Sequence, residues 1–177
     1  MRVWDPLIRL LHWTLVIAIA TAWLSTLHLG FGWTHEPAGY VALGVITVRL
    51  IWGFLGGRHA RFTQFVRGPS HVLRYARLMR HRQEPRHIGH NPLGGWMAIA
   101  LLMGVASVGI TGWLQTTDRY WGSEILENVH HQLAWALVAL IAMHVIGVIA
   151  TSLRHRENLV RSMFTGRKDA AQQDDVV

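Results

Sequence analysis

The chain has 177 residues, 51% of them hydrophobic, with nine tryptophans, a net charge of +7 and no cysteine. The missing thiols exclude disulfides, thiolate metal sites and covalent haem attachment through Cys-x-x-Cys-His. The distribution of apolar residues argues against a soluble helical bundle, which needs a polar face on every helix; stretches such as TLVIAIATAWL (14–24) and MAIALLMGVASVGI (97–110) have almost none.

Four apolar blocks, 7–27, 38–56, 93–114 and 129–153, follow one another. Each has about 20 residues, enough for a helix to cross a hydrocarbon core of about 30 Å. The predicted fold is therefore all-α, an integral membrane four-helix bundle over residues 1–168 with a polar, disordered tail at 169–177. Asp5-Pro6 opens the first block, whose apolar core is too long for a cleavable signal peptide. A short connection, 28–35, carries His28 and leads to Glu36-Pro37 at the start of the second block, which Gly56-Gly57 ends. An arginine-rich segment follows. Within it, 69–83 (PSHVLRYARLMRHRQ) reads as an interfacial helix on anionic lipid, with Val72, Leu73, Ala76 and Met79 as its apolar stripe. Asn91-Pro92 opens the third block, and residues 115–128 connect it to the fourth.

Basic residues set the orientation. The N-terminal segment has Arg2 and Arg9, the segment from Arg49 to Arg86 has nine arginines, and the C-terminal segment has five basic residues (Arg154, Arg156, Arg161, Arg167, Lys168). Only Arg119 falls in the third-to-fourth connection. Both termini are thus expected in the cytoplasm of a bacterial inner (plasma) membrane. Residues 28–35 and 115–128 face outward. Every basic segment flanks a span, so the charge is topological and no nucleic-acid partner is expected.

Twelve histidines are many for this length. His59, His71, His81, His87, His90 and His155 stand among cytoplasmic arginines, where a solvated or headgroup-facing role is the default. His12, His35, His130 or His131, and His144 lie in or at the ends of spans, where ionisable residues usually face the interior. At about 100° per residue, His130 and His144 fall within about 40° of one face and about 21 Å apart, whereas His131 misses that face by about 140°. His131 is left to cap the helix or to face the outer loop. His35 and His130 begin their helices on the outer side; His12 and His144 lie two to three turns from the cytoplasmic side. Two levels result, each with one histidine from the fourth helix and one from another. Facing imidazoles can hold a haem between them as axial ligands. Arg49 lies 14 residues after His35, on the same face near the inner level. It can pair with a haem propionate or snorkel to the headgroups.

The motifs VWDPLIRLLHW (3–13), HEPAGY (35–40) with VRLIWGF (48–54), GHNPLG (89–94), HHQLA (130–134), MH (143–144) and RENLVRSMFTGRK (156–168) together resemble the prokaryotic cytochrome b561 family, which includes b-type cytochrome subunits of membrane hydrogenases. The resemblance implies a four-helix cytochrome with two haem b groups. His12 with His144 would hold the cytoplasmic-side haem, and His35 with His130 the outer one. His131 stands where relatives commonly have an acidic residue.

The leading expectation is an electron carrier between the quinone pool, ubiquinone being the candidate quinone, and a periplasmic partner such as a c-type cytochrome or an oxidoreductase subunit. A homodimer is compatible with the sequence. The alternative is a superoxide oxidase passing electrons to ubiquinone. That site would need cations, and the outer segments set only Arg119 and the histidines against Glu36, Asp118, Glu124 and Glu127. A metal-ion transporter would need three or four ligands around one ion, which two separated levels do not provide.

Overall fold

The computed structural model describes all residues except 2, 28–30, 58–59, 171–174 and 177. The expectations for His28 and His59 lie outside the described residues, as do five positions of the tail. Helices account for most of the rest: α1 (Pro6–Ser25), α2 (His35–Leu55), α3 (Phe62–Phe65), α4 (Pro69–Arg80), α5 (Pro92–Gln115), α6 (Glu124–His155) and α7 (Leu159–Thr165). No strand occurs among the described residues, only an isolated bridge between His87 and Val176. Four helical segments, Pro6–Ser25, Gly32–Leu55, Pro92–Gln115 and Glu124–His155, are long and apolar enough to cross a membrane. The all-α, four-span expectation is met.

Local chemistry sets the helix ends. The Leu7 amide donates to Asp5 Oδ1 at 2.8 Å, and the Gly94 amide to Asn91 Oδ1 at 2.7 Å. Each carboxylate or amide oxygen satisfies an amide that the first turn leaves open, and the following proline has no amide to satisfy. The last long helix starts at Glu124, earlier than the expected 129. Glu124 and Glu127 occupy its first turn, where negative charge favours the helix start. The apolar pattern alone could not reveal these polar opening turns.

The chain divides into two units. One comprises Leu10–Leu50 and Leu101–Ile141. Its core is Ala18, Ala42, Ile46, Val105 and Leu137, one or two residues from each long helix. Small residues let these helices approach closely. A Cβ added at Gly109 would stand 2.5 Å from Leu43 Cδ2, so α2 and α5 meet there with no room for a side chain.

The other unit comprises Met1–Arg9, Ile51–Ala100 and Ala142–Val177. Val3, Trp4 and Ile88 form its buried cluster, with Met163 against it. The Val3 and Trp4 amides donate to the Gly166 carbonyl at 2.9 and 3.2 Å, and the Lys168 amide donates to the Met1 carbonyl at 2.9 Å. Gly166 ends α7 with φ +74°, a left-handed conformation that favours glycine. An ion cluster lies beside it: Glu157 pairs with Arg86 at 2.8 Å and Lys168 at 3.3 Å, and Arg86 also pairs with Asp175 at 2.6 Å. Asp175 and Val176 of the tail are therefore held against residues 86–88, with the Ile88 amide donating to the Val176 carbonyl at 3.0 Å.

In α4, Tyr75 is buried, Val72, Ala76 and Met79 are half-buried, and Leu73 is 68% exposed. The expected stripe is thus shifted. Tyr75, Ala76 and Met79 share a face at helical spacing with Val72, and Leu73 falls off it.

Candidate functional site

His35 is the first residue of α2. Its Nδ1 lies 2.9 Å from the Ala22 carbonyl oxygen and 3.1 Å from Ser25 Oγ. Ser25 is buried, and its hydroxyl donates to that same carbonyl at 2.7 Å. A carbonyl can only accept, so His35 carries its proton on Nδ1. In the neutral ring, Nε2 then keeps the lone pair available to a metal.

His130 lies in α6, half-buried. Its Nδ1 is 3.0 Å from Thr111 Oγ1 of α5. The Thr111 hydroxyl is within reach of the Ser107 carbonyl at 2.9 Å and the Val108 carbonyl at 3.0 Å. With its one hydrogen given to a carbonyl, Thr111 Oγ1 accepts from His130 Nδ1. Both histidines thus adopt the same tautomer. Such hydrogen bonds to the far nitrogen orient a metal-ligating imidazole and raise its basicity.

The two rings lie close in an edge-to-face arrangement, with centroids 6.2 Å apart and planes at 72°. A metal–imidazole bond of about 2 Å on each side, with about 1 Å from nitrogen to ring centre, separates two axial imidazoles by about 6 Å. The centroid separation matches that spacing, so this pair could hold a haem iron. Two imidazoles are too few donors for a bare tetrahedral ion. Haem brings four nitrogens of its own. Gly39, one turn beyond His35, leaves space: a Cβ built there meets nothing within 4 Å. Gly112 lies behind the other ring, where a Cβ would come 3.1 Å from His130 Cε1.

His131 is exposed and accepts a hydrogen bond from Trp135 Nε1 at 2.8 Å. Trp135 in turn stands edge-on to Trp23, with centroids 5.0 Å apart. The helical phase that separates His130 from His131 in the sequence is the phase of α6. Of the other expected site residues, His12 is half-buried in α1 and edge-on to Trp13 at 5.2 Å. Arg49 is half-buried in α2, and His144 half-buried in α6. His35 and His130 are brought together directly; the pairing of His12 with His144 rests on their positions along the helices.

Sequence reasoning missed the groups around the far nitrogens. Serine and threonine in apolar helices ordinarily bond their own preceding carbonyls, as Ser25 and Thr111 also do. The one available signal was their position one or two turns from a span end that carries a histidine. The solvated default also fails for two histidines of the other unit. His90 lies between Trp4 and Phe65, with centroids at 4.9 and 4.6 Å. His87 is edge-on to Tyr75 at 5.2 Å. Burial, then the charges of His155, Arg67 and Lys168, lower the His87 pKa against a hydrogen bond from Nδ1 to the Pro85 carbonyl.

The chain matches the prokaryotic cytochrome b561 family over residues 3–166. It is similar to a probable Ni/Fe-hydrogenase B-type cytochrome subunit of Bradyrhizobium diazoefficiens, with 22% identity over 94% of this chain and 85% of that protein. A protein of the same description from Rhodobacter capsulatus is 24% identical over 94% of this chain and 80% of its own length. Another, from Azotobacter vinelandii, is 24% identical over 93% and 86%. No solved structure matches the chain.

Proposed function

The chain belongs to the prokaryotic cytochrome b561 family, and from that premise we propose how this multi-pass bacterial membrane cytochrome of b type carries its electrons. It holds two haem b groups, one near each face of the inner membrane, and both termini are cytoplasmic. His35 and His130 would hold the outer haem through their imidazole nitrogens. His12 and His144 would hold the inner haem, and Arg49 would offer its guanidinium to a propionate. The observation that carries this reading is the close pair His35 and His130, with rings 6.2 Å apart and far nitrogens held by Ala22 and Thr111.

Haem iron, when bound, passes one electron by cycling between its ferric and ferrous states. The protein's own share is to fix ligand identity, orientation and surroundings. The Ala22 carbonyl and Thr111 hydroxyl keep both ring protons on Nδ1, so no proton competes for Nε2. Bundle-core packing by Ala18, Ala42, Ile46, Val105 and Leu137 fixes the helices that carry the ligands. Electrons pass between the quinone pool, with ubiquinone as the quinone, and a periplasmic partner. The relatives described as hydrogenase B-type cytochrome subunits support an oxidoreductase subunit in that role, ahead of a c-type cytochrome.

Pyridine haemochrome analysis of the purified protein tests the reading. It should give about two non-covalent haems per chain, and the absorption spectrum of the native protein should be low-spin, as bis-histidine ligation requires. The His35→Ala variant should give about one. A single haem in the unaltered protein, or an unchanged content in the variant, would refute the ligand set.

A further inference from the structure

Residues of α3, α4 and the segment before α5 enclose, with Val176, a cavity of about 260 Å³. His71, Arg74, Tyr75 and Leu78 supply one wall from a single face of α4. Arg67 stands before that helix, and His87 and His90 close the other side. Arg67, His71 and Arg74 are exposed at the mouth, whereas Tyr75 is buried at the floor.

Among the described residues, no carboxylate lines this cavity. The nearby acids are engaged elsewhere: Glu84 with Arg154 at 2.7 Å, Glu157 with Arg86 and Lys168, and Asp175 with Arg86. Among the described residues, neither Arg67 nor Arg74 has an ion pair. Two guanidinium groups that make no ion pair with a described residue, beside a phenol and three imidazoles, form a donor set for an oxyanion with several acceptor oxygens. Burial, then the charge of Glu84, push the Tyr75 hydroxyl up to about 12 against the charge of Arg154 and a hydrogen bond with Asn91, so it keeps its proton throughout the physiological range. The volume lies below the roughly 300–1,000 Å³ of pockets for drug-sized ligands. A phosphate with a glycerol-sized remainder fits, and a nucleotide does not.

We propose that the cavity formed by Arg67, His71, Arg74, Tyr75, His87 and His90 binds the phosphate group of a small anion. This site is separate from the haem ligands and stands apart from the electron-transfer reading. The phosphate has two possible sources, the head group of an anionic phospholipid or a free phosphate. Leu73, exposed on the same helix beside Arg74 and one turn before Arg77, favours the lipid source, since an apolar side chain with basic neighbours suits a membrane surface.

The full-length protein with its haem retained, delipidated in neutral detergent, provides the test. In one arm inorganic phosphate is titrated calorimetrically. In the other, native mass spectrometry counts adducts of phosphatidylglycerol against phosphatidylcholine. Saturable binding is expected in at least one arm, and Arg67→Gln with Arg74→Gln should weaken it about tenfold or more. Arg80→Gln, on the same helix but away from the lining, should not. Phosphatidylglycerol selectivity without phosphate binding identifies a lipid site; calorimetric phosphate binding identifies a free-anion site. The haem absorption spectrum checks that each variant is folded; if the double variant loses haem, the two single variants, both at exposed side chains, decide. No binding in either arm, or equal weakening by Arg80→Gln, would overturn the proposal.

Discussion

A neutral imidazole has one proton and two nitrogens, and its neighbours decide which nitrogen is left to bind. At His35 the decision is made by a carbonyl 2.9 Å away, and at His130 by a threonine hydroxyl at 3.0 Å. Removing that hydroxyl without changing shape, in Thr111→Val, should lower affinity for the outer haem about 10- to 100-fold, the usual cost of losing an outer-shell partner of a ligating histidine. Haem transfer to an apo-acceptor protein, followed spectroscopically, measures it; an unchanged off-rate would show that Thr111 does not position His130. The neighbouring histidine gives the sharper contrast. His130→Ala should lose one low-spin haem, and His131→Ala should keep both, because His131 is exposed and bonded to Trp135. The reverse result would sink the assignment. His130 was legible because 14 residues on a helix return nearly to the same face, and that arithmetic needs no knowledge of neighbours. Ser25 and Thr111 were not legible, because their partners come from other helices. His87 and His90 were misread for the same reason: arginines next to them in sequence suggested water, but the folded chain surrounds them with Trp4, Phe65 and Tyr75.

Between elements, what matters is the space left by residues without side chains. Gly95 of α5 packs on the backbone of Phe65, and a Cβ there would overlap the Phe65 carbonyl oxygen. Backbone cannot turn aside as a side chain can, so Gly95→Ala should cost about 1–3 kcal/mol, the range for overpacking. A lowered melting temperature would show it, and an unchanged one would show that the α5 start shifts freely. Gly39 is the counter-case. The protein leaves its Cβ position open, so Gly39→Ala should leave helix content intact but reduce haem content if the haem lies along that face. The four long helices were legible almost to their ends, because an apolar run and a proline are local signals. The start of α6 was not, since the charged and amide residues Glu124, Glu127 and Asn128 interrupt the apolar run around Ile125 and Leu126 until a helix continues through them. Nor was the junction of Arg86, Glu157, Lys168 and Asp175, drawn from three distant parts of the chain. Burial alone would raise the Glu157 carboxyl, but the Arg86 hydrogen bond and the charges of Lys168 and Arg86 outweigh it and hold the pKa below the ordinary range. A depressed carboxyl contributes stability that is full above about pH 4, the unfolded value, and is lost as pH falls through the lower folded value. The bond between Asp175 and Val176 should therefore become cleavable by an acid-active protease only below about pH 4. In Glu157→Gln it should already be cleavable at neutral pH, since removing one partner of a buried pair costs on the order of 3 kcal/mol. Equal resistance of that variant at neutral pH would place the restraint elsewhere.

For the whole molecule, the distribution of charge decides direction. In the proposed topology, eight arginines between the second and third spans and five basic residues after the fourth, against Arg119 in the third-to-fourth connection, put that connection outside. His35 and His130 then lie toward the outer face, with Gln115 and Glu124 at the ends of α5 and α6 beside the same connection. His144 is 14 residues farther along α6 than His130, about 21 Å at 1.5 Å of rise per residue. Two haems at those levels differ in their surroundings. The outer pair is tied to hydroxyl and carbonyl groups at helix ends, while His144 sits in uninterrupted apolar sequence nearer the arginines. Burial and nearby charge both tune haem potential, so the two should titrate as separate waves. Their order in space gives the final prediction. In sealed vesicles with the native outer face outward, a membrane-impermeant reductant should reduce the outer haem first and the inner haem through it. In His35→Ala the outer haem is lost and the inner one stays, so it should be reduced from outside far more slowly. A membrane-permeant reductant should still reduce it at the original rate, which separates a broken path from a damaged inner site. If the impermeant reductant reaches the inner haem equally fast in the variant, the electron does not pass through the haem held by His35 and His130.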